Sequence, residues 1–139
     1  MTTVTQQTTI PTIGHAWPEQ GGIYIGSLMK DGALHHLFVP GGPEHDIEDV
    51  SFNDAAQAVQ DKGEINDHAD WRVPDQRELM LAYINTPELF SKDDWYWTST
   101  PIGSSNAWAV GFEDGYVHGD TRRDEFRVRP FRSIIASSL

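Results

Sequence analysis

The sequence predicts an α+β domain in which two helices pack on an antiparallel β-sheet. Three observations carry that reading. "GGIYIGSLM" and "ALHHLFVPGG" are short β-rich runs joined by Asp31-Gly32, a hairpin turn signal. Two stretches with helical apolar spacing follow, opening at Ser51 and Asp75. After Pro87 the pattern changes to period two.

The elements follow in order. Residues 1–13, "MTTVTQQTTIPTI", are Thr- and Gln-rich without helical period and read as a flexible arm or an edge strand. Residues 14–139 are expected to form one domain, by length alone. Pro40-Gly41-Gly42-Pro43 stops the second strand, and "EHDIED" reads as an acidic loop. Ser51 is placed to cap a helix, with Asp54 returning part of the box and Phe52, Ala55, Ala56 and Val59 as its apolar stripe. That helix ends near Lys62-Gly63. The second helix carries Pro74, Asp75 and Glu78 at capping-box spacing, with Leu79, Ala82 and Tyr83 on one side. "WYWTST", "AWAVGF", "YVHGD" and "FRVRPFR" read as strands, with an Asp114-Gly115 turn between two of them. Alternation puts Trp95, Trp97 and Ser99 on one face, and Tyr96, Thr98 and Thr100 on the other. Trp97, Trp108, Phe112 and Val128 are the expected shared core.

Charge narrows the function classes. The chain holds 21 acidic against 10 basic side chains, a formal charge of -11. Residues 1–70 contribute eleven acids and two lysines, and residues 71–139 ten acids and eight bases. Direct nucleic-acid binding is disfavoured, because phosphate contacts depend on Lys and Arg. Five arginines in "TRRDEFRVRPFR" form a basic strip whose simplest role is pairing with the chain's own acids. Arg129 and Arg132 would need acidic partners if buried. The absence of cysteine excludes disulfides, thiolate metal sites and cysteine nucleophiles. The first thirty residues contain no apolar run of signal-peptide or membrane-spanning type, which predicts no membrane partner.

From Trp71 onward, "DWRVPDQREL", "YWTST", "NAWAVGFEDGYV" and "RVRPFR" occur in that order. Together they resemble the Lcl C-terminal-like family, found in bacterial surface proteins and prophages. The matching residues include Trp71, Arg72, Pro74, Glu78, Tyr96, Trp97, Trp108, Asp114, Gly115, Arg129 and Arg132. Val73, Asp75, Thr98 and Phe131 are conservative departures. The resemblance implies a C-type-lectin-like fold, distantly related to formylglycine-generating domains, used mostly for non-catalytic recognition.

Catalytic signatures are not found. The cysteines of the copper-dependent relatives are missing, and no pair of the six His has the spacing of an iron-ligand set of this fold. His35 and His36 are adjacent on a strand and point to opposite faces. "IGSSNA" is not a nucleophile elbow. No calcium-lectin triplet occurs, no metal or cofactor is predicted, and the chain is expected not to be an enzyme.

Recognition is the remaining class. The residues that alternation turns away from the core are Tyr96 and Thr98, the loop Ile102–Asn106 with Ser104, Ser105 and Asn106, and then Tyr116, His118, Asp120, Arg122 and Arg123. Tyr, Trp and Arg are the residue types that dominate interface energetics. The favoured reading is a phage- or prophage-encoded protein-binding module in the host cytoplasm. It would inhibit or modulate a host protein, with mimicry of nucleic acid by its acidic surface as one mechanism and a nucleic-acid-binding protein as the partner. The alternative is a virion tail-associated receptor-binding or assembly protein, for which a homo-oligomer would be expected.

Overall fold

Alternating apolar residues and tight turns build most of the structure, a computed structural model that describes residues 10–139. The strand expectation for the extreme N-terminus falls on residues 1–9, outside the described residues; residues 10–13 contain no strand.

Two sheets form rather than one. The first has the order β1-β2-β3-β9, from β1 (Ala16–Trp17), β2 (Gly22–Lys30), β3 (Ala33–Val39) and β9 (Arg132–Ile135). Its β2–β3 hairpin turns at Asp31-Gly32 as expected, both residues having positive φ. The second sheet has the order β4-β8-β5-β6-β7. It comprises β4 (Ile47–Ser51), β5 (Trp95–Ile102), β6 (Asn106–Gly111), β7 (Val117–Thr121) and β8 (Glu125–Val128). All pairings are antiparallel except β5 with β8. The acidic stretch read as a loop is therefore half strand, because Ile47 and Val50 pair with Val128 and Phe126.

Helix α1 (Phe52–Asp61) buries Ala55 and Val59, but Ala56 is exposed. Ser51 does not cap it through its side chain; it ends β4 in extended conformation, paired with Glu125. Helix α2 (Gln76–Asn85) has the complete capping box: Asp75 accepts from the Glu78 N–H and Glu78 accepts from the Asp75 N–H, both at 2.9 Å. Caps of this kind stabilise a helix by about 1 kcal/mol.

Three apolar clusters arrange these layers. Ile25, Leu37 and Val39 of the first sheet meet Leu79 and Ala82 of α2 and Tyr96, Val110 and Phe112 of the second. The opposite face of the second sheet, with Trp97, Ala107, Ala109 and Val128, packs under α1 and beside Trp71 and Val73. Trp17, Tyr24 and Phe38 form a smaller cluster on the first sheet. The middle of β5 and β6 is thus covered on both faces. Trp97, Phe112 and Val128 are core as expected; Trp108 is only half-buried, while its neighbours Ala107 and Ala109 are fully enclosed.

Arginines lock the loops to this frame. Arg129, fully buried, donates to Asp46 (2.6 Å), the Gly41 carbonyl (2.8 Å) and the Leu89 carbonyl (2.9 Å). Arg132 pairs with Asp70 at 2.8 Å, Arg127 with Asp46 and Glu48, and Arg72 is bidentate to Glu78 at 2.7 Å. Most of the basic strip is consumed within the chain, as its composition suggested.

Candidate recognition site

The candidate residues do not form one face. Tyr96 and Thr98 are wholly buried, which removes them from any exposed surface. Alternation assigns a strand residue to one side of a sheet, and here both sides are covered. The Tyr96 hydroxyl donates to Asp46 at 2.6 Å and accepts from the Ser91 N–H at 2.9 Å. Burial, then the bond to Asp46, raises its pKa, so it remains a neutral donor. Thr98 donates to the Trp108 carbonyl across the β5–β6 ladder at 2.7 Å.

The other candidates lie at opposite ends of the second sheet. Ser104, Ser105 and Asn106 close the β5–β6 hairpin next to the β7–β8 turn that carries Arg122 and Arg123. Arg122 holds this end together by donating to the Gly103 carbonyl at 2.6 Å and the Asn106 carbonyl at 3.2 Å. Its guanidinium also lies 5.0 Å from the Phe52 ring centre. That makes Arg122 a positioning residue for the loop. Ser104, Ser105 and Arg123 are exposed. Asp120 lies between the two ends and accepts from or pairs with His118 Nδ1 at 2.7 Å.

Tyr116 and His118 belong to the other end, where α1 does not reach. The rows of side chains on the α1 face of the sheet explain what gathers there. β6 presents small residues, Ala107, Ala109 and Gly111; β5 contributes Trp97 and Trp95; β7 contributes Asp120 and His118, with Tyr116 just ahead of it. Gly111 pairs with Trp95, and a Cβ on Gly111 would meet the Trp95 ring at 3.3–3.5 Å, so the glycine lets the indole lie across the strand. The Asp114-Gly115 turn sets Tyr116 back over the sheet. Gly115 has φ +75° and approaches the Tyr83 ring so closely that any side chain would strike it.

A groove of about 380 Å³ results, with Trp95, Gly111, Tyr116 and His118 among its walls and Lys92, Asp93, Asp94, Glu113 and Asp114 around them. The ring centres of Trp95, Tyr116 and His118 are 5.5–6.2 Å apart, and none of the pairs is stacked face to face. Two acids are held by backbone: Asp94 accepts from the Trp95 N–H at 2.8 Å and Asp114 from the Tyr116 N–H at 3.1 Å. Trp95, Asp94, Asp114 and Glu113 are site residues that reading the sequence did not single out. The β5–β6–β7 pairing brings Trp95 and Asp94 to Tyr116 and His118, while Glu113 and Asp114 reach them through the turn that precedes β7.

One further constellation lies elsewhere. Tyr24 Oη, Ser27 Oγ and His36 Nδ1 form a hydrogen-bonded chain with steps of 2.7 and 2.6 Å. Ser27 beside a His invites comparison with an activated nucleophile. His36 is 3% exposed, however, and packs against Trp17 and Tyr24, whose ring centres lie 6.0 and 5.8 Å from its own. The chain satisfies buried polar groups of the first sheet. Among the described residues, no group of three or more His, Asp or Glu side chains is gathered as a metal cage.

Several residues of the resemblance have structural roles. The Trp71 indole donates to the Ile65 and His68 carbonyls, the Trp97 indole donates to the Val50 carbonyl, and Thr100 Oγ1 accepts the Gln76 N–H at the start of α2. They form the frame that carries the groove. A search of curated proteins finds no match to this chain. The family model for the Lcl C-terminal domain matches residues 16–132, which include both helices, the second sheet with its groove, and the first sheet up to the start of β9. By that match, the chain belongs to the Lcl C-terminal domain family.

Proposed function

We propose that this protein is a non-enzymatic protein-binding module of C-type-lectin-like fold, whose recognition face is the uncovered end of the second sheet. The observation that carries the reading is the groove of Trp95, Tyr116 and His118 with four carboxylates in its lining. An exposed aromatic set of this kind is what interface cores are built from. Tyr116 is 57% exposed, although large aromatic side chains are normally drawn inward. The acidic lining and the overall charge of -11 favour a partner with a basic surface. In the phage or prophage setting implied by the sequence resemblance, that partner is a host protein, with a nucleic-acid-binding site as the natural basic target. Inhibition then follows from occupying that site in the host cytoplasm.

The test is a paired capture from host lysates at low and moderate salt, using the tagged protein and its Tyr116→Ala and Asp114→Lys variants. A basic partner retained by the parent protein and lost from both variants supports the reading. Partners captured equally by all three would sink it. A virion role is tested by probing purified particles for the chain.

A further inference from the structure

Resting on that reading, we infer that the groove takes an arginine side chain from an exposed basic segment of the partner protein. Three properties of the site select this class of ligand. First, its charge is uncompensated. Asp93, Asp94, Glu113 and Asp114 line it against a single Lys92, and none of these five side chains is in an ion pair among the described residues. The acids that meet the fold's arginines and Lys30, Asp46, Asp70, Asp75 and Glu78, are by contrast each in an ion pair. An anionic ligand is therefore repelled and a cation drawn in.

Second, the rings form one contiguous aromatic surface. A cation is attracted by an aromatic face within about 6 Å of its centre, and because the rings of Trp95, Tyr116 and His118 are in contact, with centres 5.5–6.2 Å apart, a cation lying over the set comes near more than one of them. Third, the acids are pre-set. The bonds of Asp94 to the Trp95 N–H and of Asp114 to the Tyr116 N–H use one oxygen each, and hold each carboxylate beside the ring that follows it. A guanidinium can stack on a ring while its edge donates to a carboxylate; an ammonium cannot do both as a plane.

The protein already uses this combination inside its own fold. Arg129 lies 4.4 Å from the Phe90 ring centre and 5.8 Å from that of Tyr96 while bonded to Asp46. Arg132 lies 5.6 Å from the Phe38 ring centre and pairs with Asp70. The groove offers the same two kinds of partner, ring face and carboxylate, at the surface.

The experiment titrates the ¹⁵N-labelled protein with three peptides of identical Gly/Ser framework carrying two Arg, two Lys or two Glu. The readouts are the Trp95 indole N–H signal, assigned with Trp95→Phe, and calorimetry. The arginine peptide should shift the Trp95 signal and bind roughly five- to tenfold more tightly than the lysine peptide, with no binding of the Glu peptide. Tyr116→Leu and Asp114→Asn should each weaken the arginine peptide about fivefold without shifting the urea midpoint. Equal affinity for Arg and Lys peptides, binding indifferent to both variants, or shifts confined to other tryptophans would overturn the inference. So would saturation of the Trp95 signal by a neutral oligosaccharide with no response to arginine. If a partner is captured in a Tyr116-dependent manner yet the arginine peptide does not bind, the protein-binding reading stands and the arginine assignment falls.

Discussion

Replacing Arg129 with Met is the sharpest test of how the fold is locked. The side chain is fully buried, and so is the side chain of its partner Asp46. Met keeps much of the volume but deletes three donors. Asp46 then retains only the Tyr96 hydroxyl at 2.6 Å and Arg127 at 3.2 Å, while the Gly41 and Leu89 carbonyls lose their bonds to the guanidinium. Breaking a buried pair from one side costs about 3–5 kcal/mol. For a domain stable by about 5–15 kcal/mol, that is a large share of the total. Urea denaturation followed by tryptophan fluorescence measures it. The double variant Arg129→Met, Asp46→Asn removes the stranded charge, and its cost should fall below the sum of the two single costs by at least about 1 kcal/mol. A loss under about 1 kcal/mol for Arg129→Met, or strict additivity, would refute the argument that Arg129, just after β8, holds the 41–46 and 87–89 segments in place.

Three other outcomes follow from the same structure. Trp97→Ala should lower stability by about 3–5 kcal/mol, because the ring is wholly enclosed and its indole bonds the Val50 carbonyl; urea melts will show it. Tyr116→Ala and Arg123→Glu should each leave stability within about 0.5 kcal/mol, and only the former should weaken partner binding, since Arg123 lies at the far end of β7. Acid should destabilise the protein in two stages, read as urea midpoints against pH. Burial holds His36 below its ordinary 6.5, so the unfolded chain takes up that proton first, and the stability present above pH 6.5 is lost progressively below it. Burial raises the pKa of Glu78, but the bonds and charge of Arg72 outweigh it and hold the carboxyl below 4.5. Its contribution is therefore present above pH 4.5 and lost as the pH falls further. His36→Asn should remove the first stage and leave the second.

Local signals in the sequence were enough to place the elements whose cause is local. The α2 capping box needs only Asp75 and Glu78 three residues apart, and the β2–β3 turn needs only Asp31-Gly32. Ser51 looked equally well placed as a cap, yet strand pairing with Glu125 claimed it. Asp46 lay in an apparent acidic loop because its partner Arg129 is 83 residues away. Period two put Tyr96 opposite Trp95 and Trp97 correctly, but the register shifts after Trp97, and alternation could not tell that helices and a second sheet would cover both faces, which buried Tyr96 and Thr98. The groove was half legible. Tyr116 and His118 were visible as outward residues of one strand and Asp114 as part of the turn before them, whereas Trp95 and Asp94 join them only through the β5–β6–β7 register.

The recognition face itself is tested most directly by a hydrogen-exchange footprint of the protein with and without the captured partner. The account predicts slowed exchange at residues 92–95 and 111–118, with the loop 102–106 and the exposed side of α2 unchanged. Protection confined to the 102–106 and 122–123 end, or to α2, would contradict it.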